Sequence, residues 1–321
     1  MPAVTYFQII NEAMRLYQKG ELEQAYDLVT EAGNLEAGNP AQMLNFRYCL
    51  ASKLGDKELA IRLMREAIVE REYWYGFDYL LEDDDLQPLQ EIPEFKRLAA
   101  NSQEHEIEAK RNSKPSMRIL KVEGSGSNQA KVLMALHGNG DSAAVTEPYW
   151  QGCLRHGYDL ALPQSSQITF WDAYTWIDLD KGTSDLAVHL RSIHSMGVEQ
   201  KDMIIAGFSG GARLALHAVL KGEIEPFGLI LIAPWLPELD DWMEMLRSHG
   251  RMRLRCWIIC GDQDNDCLEG AKRLFSILEE SGVNAHLKII EGLDHDFPVD
   301  FDERLPHMLH DLEMESSEEE R

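Results

Sequence analysis

Basic residues are scarce in this chain. Lys and Arg together number 31 against 55 Asp and Glu, a formal net charge of −24 over 321 residues. A field of that sign repels phosphate backbones and anionic lipid surfaces, which sets nucleic-acid binding aside. Long apolar runs are missing as well: no stretch approaches the roughly 18 uninterrupted apolar residues of a membrane span. The opening MPAVTYFQIINEAMRLYQKG lacks a basic segment followed by an apolar one, so no secretory signal is read and a cytoplasmic location is expected. Cysteines are few and odd in number: Cys49, Cys153, Cys256, Cys260 and Cys267. None has zinc-site or redox CxxC spacing, so all five are expected to be reduced thiols without a metal role. What is present is 44% hydrophobic and 27% charged residues, enough for a sizeable globular core.

Two compositions share the chain. Residues 1–110 read as helical throughout, and they repeat. Gly20-Glu21 returns as Gly55-Asp56, Ala25 as Ala60, Leu28 as Leu63, Glu31 as Glu66 and Ala32 as Ala67, each pair 35 residues apart. Small residues at these places let two helices of a hairpin approach closely, while Leu28/Leu63 and Val29/Met64 supply the apolar stripe. The pattern resembles tetratricopeptide-type hairpins in two degenerate copies. Tyr73-Trp74-Tyr75-Gly76-Phe77 with Leu86, Leu89, Ile92, Phe95 and Leu98 is expected to close the stack as a cap. Asn101 to Pro115 reads as a helix end and linker.

From residue 111 to 314 short β-rich runs alternate with amphipathic helices. The runs are Met117–Val122, Lys131–Leu136, Asp159–Leu162, Met203–Ala206, Leu229–Ile232, Cys256–Ile259 and His286–Ile290. Helices are expected over Ser184–Met196, Gly211–Lys221, Leu239–Ser248, Gly270–Glu280 and Phe301–Leu312. Such alternation predicts an α/β domain, a mostly parallel sheet with helices on both faces and an antiparallel edge made by the first run or two. Residues 315–321 are mostly acidic and read as a solvated tail.

The chemistry concentrates at strand ends. Gly207-Phe208-Ser209-Gly210-Gly211 is a G-x-S-x-G pattern between a strand and a helix start. There the chain must reverse within a residue or two, leaving the serine hydroxyl exposed at a strained turn. A tetrahedral intermediate at Ser209 would need two preorganised N–H donors. One is the main-chain N–H of Gly210. The other is that of Asn139, in the loop His137-Gly138-Asn139-Gly140-Asp141, with the His137 ring pinning that loop. Serine also needs a base and the base an orienting carboxylate, in the chain order serine, acid, histidine. The turn Gly261-Asp262-Gln263-Asp264-Asn265-Asp266 offers Asp264 as the acid, with Asp262 and Asp266 as alternatives. The loop Gly292-Leu293-Asp294-His295-Asp296-Phe297-Pro298 follows the last strand and offers His295 as the base.

Taken together, LHGNGD, GFSGGA, GDQD and GLDHDFP resemble the phospholipase/carboxylesterase (acyl-protein thioesterase-like) and dienelactone-hydrolase branches of the α/β-hydrolase superfamily, over about Met117 to Leu312. The resemblance implies an α/β-hydrolase fold preceded by a small helical domain. It implies ester or thioester hydrolysis through an acyl-enzyme, with no metal or cofactor, by Ser209, Asp264 and His295 with the amides of Asn139 and Gly210. One departure is plain: relatives of the thioesterase branch often carry Gln after the serine, where this chain has Gly210.

Gly140 to Trp150 and Pro163 to Asp178 read as loops after successive strands and are expected to line the substrate pocket. Trp150, Trp171, Trp176 and Trp235 are its candidate aromatic wall. The short stretch from Pro234 to Arg255 leaves no room for a large lid. The partner expected is a small ester or thioester, with a peptide, a protein or a second copy meeting the helical domain. The alternatives are a helical-repeat adaptor with a silent hydrolase domain and a prolyl-oligopeptidase-like peptidase. The serine assignment predicts that Ser209→Ala abolishes p-nitrophenyl acetate turnover. Equal turnover by the variant would remove Ser209 from the chemistry.

Overall fold

The structure, a computed structural model, describes residues 5–34, 38–123, 131–248 and 254–318. They separate into two compact units. One holds residues up to Ser113 together with Gln167–Tyr174; the other holds Lys114–Ser166 and the chain from Thr175 onward.

The first unit is built from helical hairpins: α1 (Tyr6–Gln18) with α2 (Leu22–Glu31), and α3 (Pro40–Lys53) with α4 (Lys57–Arg65). The 35-residue spacing shows in their details. Gly20 and Gly55 both take positive φ, 77° and 89°, at the turn before α2 and α4. Only glycine adopts that conformation without strain. Ala25 and Ala60 are fully buried inside the hairpins. Thr5 closes a capping box on α1, and Asn39 caps α3 by accepting from the N–H groups of Ala41 and Gln42. The side chains of α3 and α4 share one core with Tyr73, Tyr75, Leu80, Leu86, Leu89, Phe95 and Leu98, from the short α5 (Phe77–Glu82), from α6 (Pro93–Asn112) and from the turns around them.

The stretch from Asn101, expected as a helix end and linker, stays helical to Asn112 as the second half of α6. Two buried polar side chains hold it there. Ser102 Oγ accepts the Tyr75 N–H and donates to the Tyr75 carbonyl, both at 2.8 Å, and Glu106 accepts the Phe77 N–H at 2.7 Å. Polarity alone gave no sign of that inward face. Trp171 also belongs to this unit. Its ring lies 4.3 Å from that of Tyr73, and its main-chain N–H donates to the Trp74 carbonyl.

From Lys114 the chain forms β1 (Ser116–Leu120), β2 (Lys131–Leu136), α7 (Ala143–Trp150), β3 (Tyr158–Gln164), the hairpin strands β4 (Gln167–Phe170) and β5 (Ala173–Thr175), α8 (Leu179–Ser195), β6 (Met203–Phe208), α9 (Gly210–Leu220), β7 (Gly228–Ile232), α10 (Leu239–Ser248), β8 (Arg255–Gly261), α11 (Leu268–Glu280), β9 (Asn284–Ile290) and α12 (Phe301–Glu318), all but the hairpin lying in the second unit. The hairpin residues from Gln167 to Tyr174 pack with the helical unit. The sheet order is β1-β3-β2-β6-β7-β8-β9, with β1 antiparallel to β3 and all other pairs parallel. The α/β architecture expected from the alternation is therefore present, with one antiparallel edge strand among the described residues. Two stretches expected as loops hold structure of their own, α7 and the β4–β5 hairpin. The last helix also runs past Leu312 to Glu318, into the expected tail; residues 319–321 lie outside the described residues.

Val132, Met134 and Leu136, every second residue of β2, enter one core with side chains from α8, α9, α10 and α11. Leu133 and Ala135 point to the opposite face and are equally buried, so that face is covered too. Helix α9 is buried on every side. Register fixes where the loops emerge. Leu136 lies opposite Gly207, Phe208 opposite Ile232, Ile232 opposite Ile259, and Gly261 opposite Ile290. The loops after β2, β6, β7, β8 and β9 therefore leave the sheet at one common edge. Among the described residues no helix is long and apolar enough to cross a membrane.

The Ser102 contact gives a stability prediction. Ser102→Ala leaves the buried Tyr75 N–H without its acceptor, and unfolding free energy should drop by about 1–3 kcal/mol. Chemical denaturation measures this, and an unchanged midpoint would show that the contact carries no stability.

Candidate active site

Strand β6 ends at Phe208, and α9 starts at Gly210. Ser209 alone makes the reversal, with φ 52° and ψ −116°. A non-glycine residue in that region costs roughly 1–3 kcal/mol, which the surrounding packing must offset. The packing is tight because its neighbours lack side chains. A Cβ on Gly207 would fall 2.5 Å from the Ala212 nitrogen and 2.6 Å from the Gly211 carbonyl. A Cβ on Gly210 would fall 2.5 Å from both Cγ and Nδ2 of Asn139, and closer still to Oδ1. At Gly207 the backbone itself would have to move, and at Gly210 the Asn139 carboxamide would have to leave its place. The Ser209 N–H donates to the Ile232 carbonyl at 2.9 Å, tying the turn to the next strand. Gly210 supplies the first N–H of α9, one of those that helix geometry leaves without an intrahelical partner.

The loop after β2 is fixed from both sides. His137 is fully buried, stacks 4.7 Å from Trp176, accepts the Ser165 N–H at Nε2 and bonds the Gly138 carbonyl through Nδ1. Burial drives its imidazole down to about 4, against a weaker pull from that carbonyl, so the ring is neutral. The ring thus pins the loop. Beyond it, Asn139 Oδ1 accepts from Thr175 Oγ1 and from the Trp176 N–H, both at 2.8 Å.

Asp264 and His295 stand on the loops after β8 and β9. Asp264 Oδ2 lies 2.7 Å from His295 Nδ1, and Asp264 Oδ1 accepts the Cys267 N–H at 3.1 Å. The three aspartates of this turn are now distinguishable. Asp262 is occupied by the Gly292 N–H and the Gln263 amide, Asp266 is exposed, and Asp264 is the buried one that meets His295. His295 itself sits 4.8 Å from the Phe208 ring, beside the residue that precedes Ser209. Burial opposes a charge on its imidazole, but the Asp264 bond and the charges of Asp264, Asp141 and Asp294 outweigh it and raise its pKa. Asp141 went unsingled in the sequence. It is buried near this imidazole, and burial, with a push from Asp296, lifts its carboxyl to about 7.

Asp264, Cys267 and His295 also form the kind of group that can ligate a cation, with donor atoms within 4.8 Å of one another. Burial pushes the Cys267 thiol far above its ordinary range, so the thiolate that a metal prefers is disfavoured. The aromatic candidates divide. Trp150 is fully buried among Phe297 and Phe301, and Trp176 is fully buried with its indole N–H on the His137 carbonyl. Neither has surface to offer a ligand, and Trp171 packs in the helical unit. Trp235 is half-buried, with the Arg213 guanidinium 5.1 Å over its ring. That arginine, one turn into α9, is buried and paired with Glu238, and it donates to the carbonyls of Trp176 and Ile177. A lone arginine in a helix pattern gave no sequence signal for this role.

Residues 5–110 match a family model described as the A/B hydrolase-like N-terminal domain. The chain is 38% identical to an uncharacterised protein from Bacillus cereus ATCC 10987, over 96% of this chain and 99% of that one, with a TM-score of 0.56. It shares its fold with the esterase PE8, at 18% identity, a TM-score of 0.51, and 62% and 99% of the two chains. Among curated proteins it is similar to mouse lysophospholipase-like protein 1, 26% identical over 136 residues. That alignment takes in 38% of this chain and 57% of the mouse protein's length.

The two imidazoles should titrate apart. In an NMR pH titration His295 should protonate above its ordinary 6.5 and His137 only near 4. Because the folded value of His137 is depressed, its contribution to stability is intact above the unfolded value and declines as pH falls from 6.5 toward 4. A His137 resonance titrating near 6.5 would contradict the buried neutral ring.

Proposed function

We propose that this chain, which belongs to the α/β-hydrolase superfamily and carries its A/B hydrolase-like N-terminal domain, is a cytoplasmic serine hydrolase acting on carboxylic esters or thioesters through an acyl-enzyme. The observation that carries the proposal is the 2.7 Å pairing of Asp264 with His295 at the sheet edge from which Ser209 also emerges. The names of the similar proteins, an esterase and a lysophospholipase-like protein, support the same class of reaction.

In this reading Ser209 Oγ attacks the acyl carbonyl while His295 Nε2 takes its proton. Asp264 keeps the other ring nitrogen protonated and stabilises the imidazolium. The carbonyl oxygen, now an oxyanion, receives the main-chain N–H groups of Gly210 and Asn139. The imidazolium then returns its proton to the leaving alcohol or thiol, and water repeats the sequence on the acyl-serine. The half-buried Trp235 is the aromatic side chain we assign to the substrate wall.

Two measurements test the proposal together. The acid limb of kcat/KM should lie above pH 6.5, since the base must be neutral and its pKa is raised. Asp264→Asn should lower kcat by at least roughly 10³-fold and move that limb toward lower pH, because the carboxylate that supports the imidazolium is gone. A flat profile from about pH 5 to 8 would exclude His295 as the base.

A further inference from the structure

Gly210 stands where thioesterase-branch relatives often carry a glutamine, and the structure shows what occupies the space. The Asn139 carboxamide lies against the Gly210 α-carbon: a Cβ added there would fall 2.5 Å from its Cγ and from its Nδ2. A side chain at 210 would have to displace the Asn139 carboxamide from this position.

The orientation of that carboxamide is determined by its partners. The Trp176 main-chain N–H can only donate, so the atom facing it at 2.8 Å is the oxygen. Thr175 Oγ1 donates to the same oxygen at 2.8 Å. Both contacts come from the end of β5, on the side of the carboxamide away from its nitrogen. Nδ2 has no acceptor among the described residues. Asn139 is half-buried, so the two N–H bonds of Nδ2 are neither consumed by the fold nor sealed within it. The carboxamide that carries them lies against Gly210, the residue after Ser209.

We propose that Asn139 serves the reaction through its side chain as well as its main chain: Nδ2 donates a third hydrogen bond to the oxyanion. The inference rests on the serine-hydrolase reading above. No bond is made or broken at Asn139; its N–H bond dipole meets charge that appears only as the tetrahedral adduct forms. A donor used in that way lowers the barrier without tightening the ground state. Thr175 and Trp176 act as positioning groups by holding the carboxamide in place before substrate arrives.

The test uses the full-length chain and two substitutions. Asn139→Ala keeps the main-chain N–H and removes the carboxamide. Asn139→Asp keeps an oxygen for Thr175 and Trp176 but offers no N–H. Both should lose roughly 100-fold in kcat on p-nitrophenyl acetate with KM changed by less than about threefold. Their affinity for an alkyl trifluoromethyl ketone, which forms a tetrahedral adduct on serine, should weaken by the same factor as kcat/KM. Thermal melting confirms that both variants fold. Activity of Asn139→Asp within about threefold of the unsubstituted chain would overturn the proposal and leave the side chain as a loop anchor alone. Failure of the unsubstituted chain to hydrolyse any ester or thioester, or to take up a fluorophosphonate, would instead overturn the serine-hydrolase reading, and this proposal with it.

Discussion

The close approach of backbone to backbone around Ser209 is the constraint on which the rest of the site depends. Gly207 lies against the peptide of Gly211 and Ala212, and Gly211 against the carbonyls of Leu136 and His137. Each approach needs a position without a Cβ, and together they hold a serine at φ 52°, a conformation that no side-chain-bearing residue takes unforced. The strain is offset by the parallel register of β2, β6 and β7, which delivers the Ile232 carbonyl to the Ser209 N–H and brings the β2 loop against the start of α9. Packing of the sheet and presentation of the hydroxyl are thus one structural event.

Electrostatics is layered on that geometry. His137 and His295 stand on loops from the same sheet edge, yet burial leaves the first neutral to about pH 4 while carboxylates raise the second. One ring is a spacer that fixes a loop; the other is poised to carry charge. The environments differ because His137 faces Trp176 and main-chain groups, whereas His295 faces Asp264 with Asp141 and Asp294 nearby. The same division applies to the asparagine and glycine of the two loops. A small residue at 210 lets a polar side chain from 139 stand where a longer one at 210 would otherwise lie.

Much of this was readable in the sequence, for identifiable reasons. The strand ends were legible because parallel strands buried on both faces are short apolar runs, and Lys131–Leu136 appears as β2 with the same bounds. The pairing of Asp264 with His295 was expected from chain order, although order alone did not separate Asp264 from Asp262 and Asp266. That choice depends on which carboxylate turns inward, and so on the Asp262 contact with the Gly292 N–H. The tryptophans misled because aromatic residues near a site and aromatic residues in a core have the same local sequence. Trp150 and Trp176 are core, and Trp171 packs with Tyr73. Helix α6 runs further than its polar sequence suggests because Ser102 and Glu106 turn inward to partners, the N–H groups of Tyr75 and Phe77, that are distant in sequence. Tertiary hydrogen bonds of that kind leave no periodic trace.

The central claim is that the strained serine is the nucleophile. The most direct measurement is to label the full-length protein with a fluorophosphonate, digest it and locate the adduct by mass spectrometry. The account predicts one adduct per chain, on the peptide that contains Ser209, formed more slowly when His295 is replaced by Ala. An adduct on any other residue, or none under conditions where the protein turns over an ester, would contradict it.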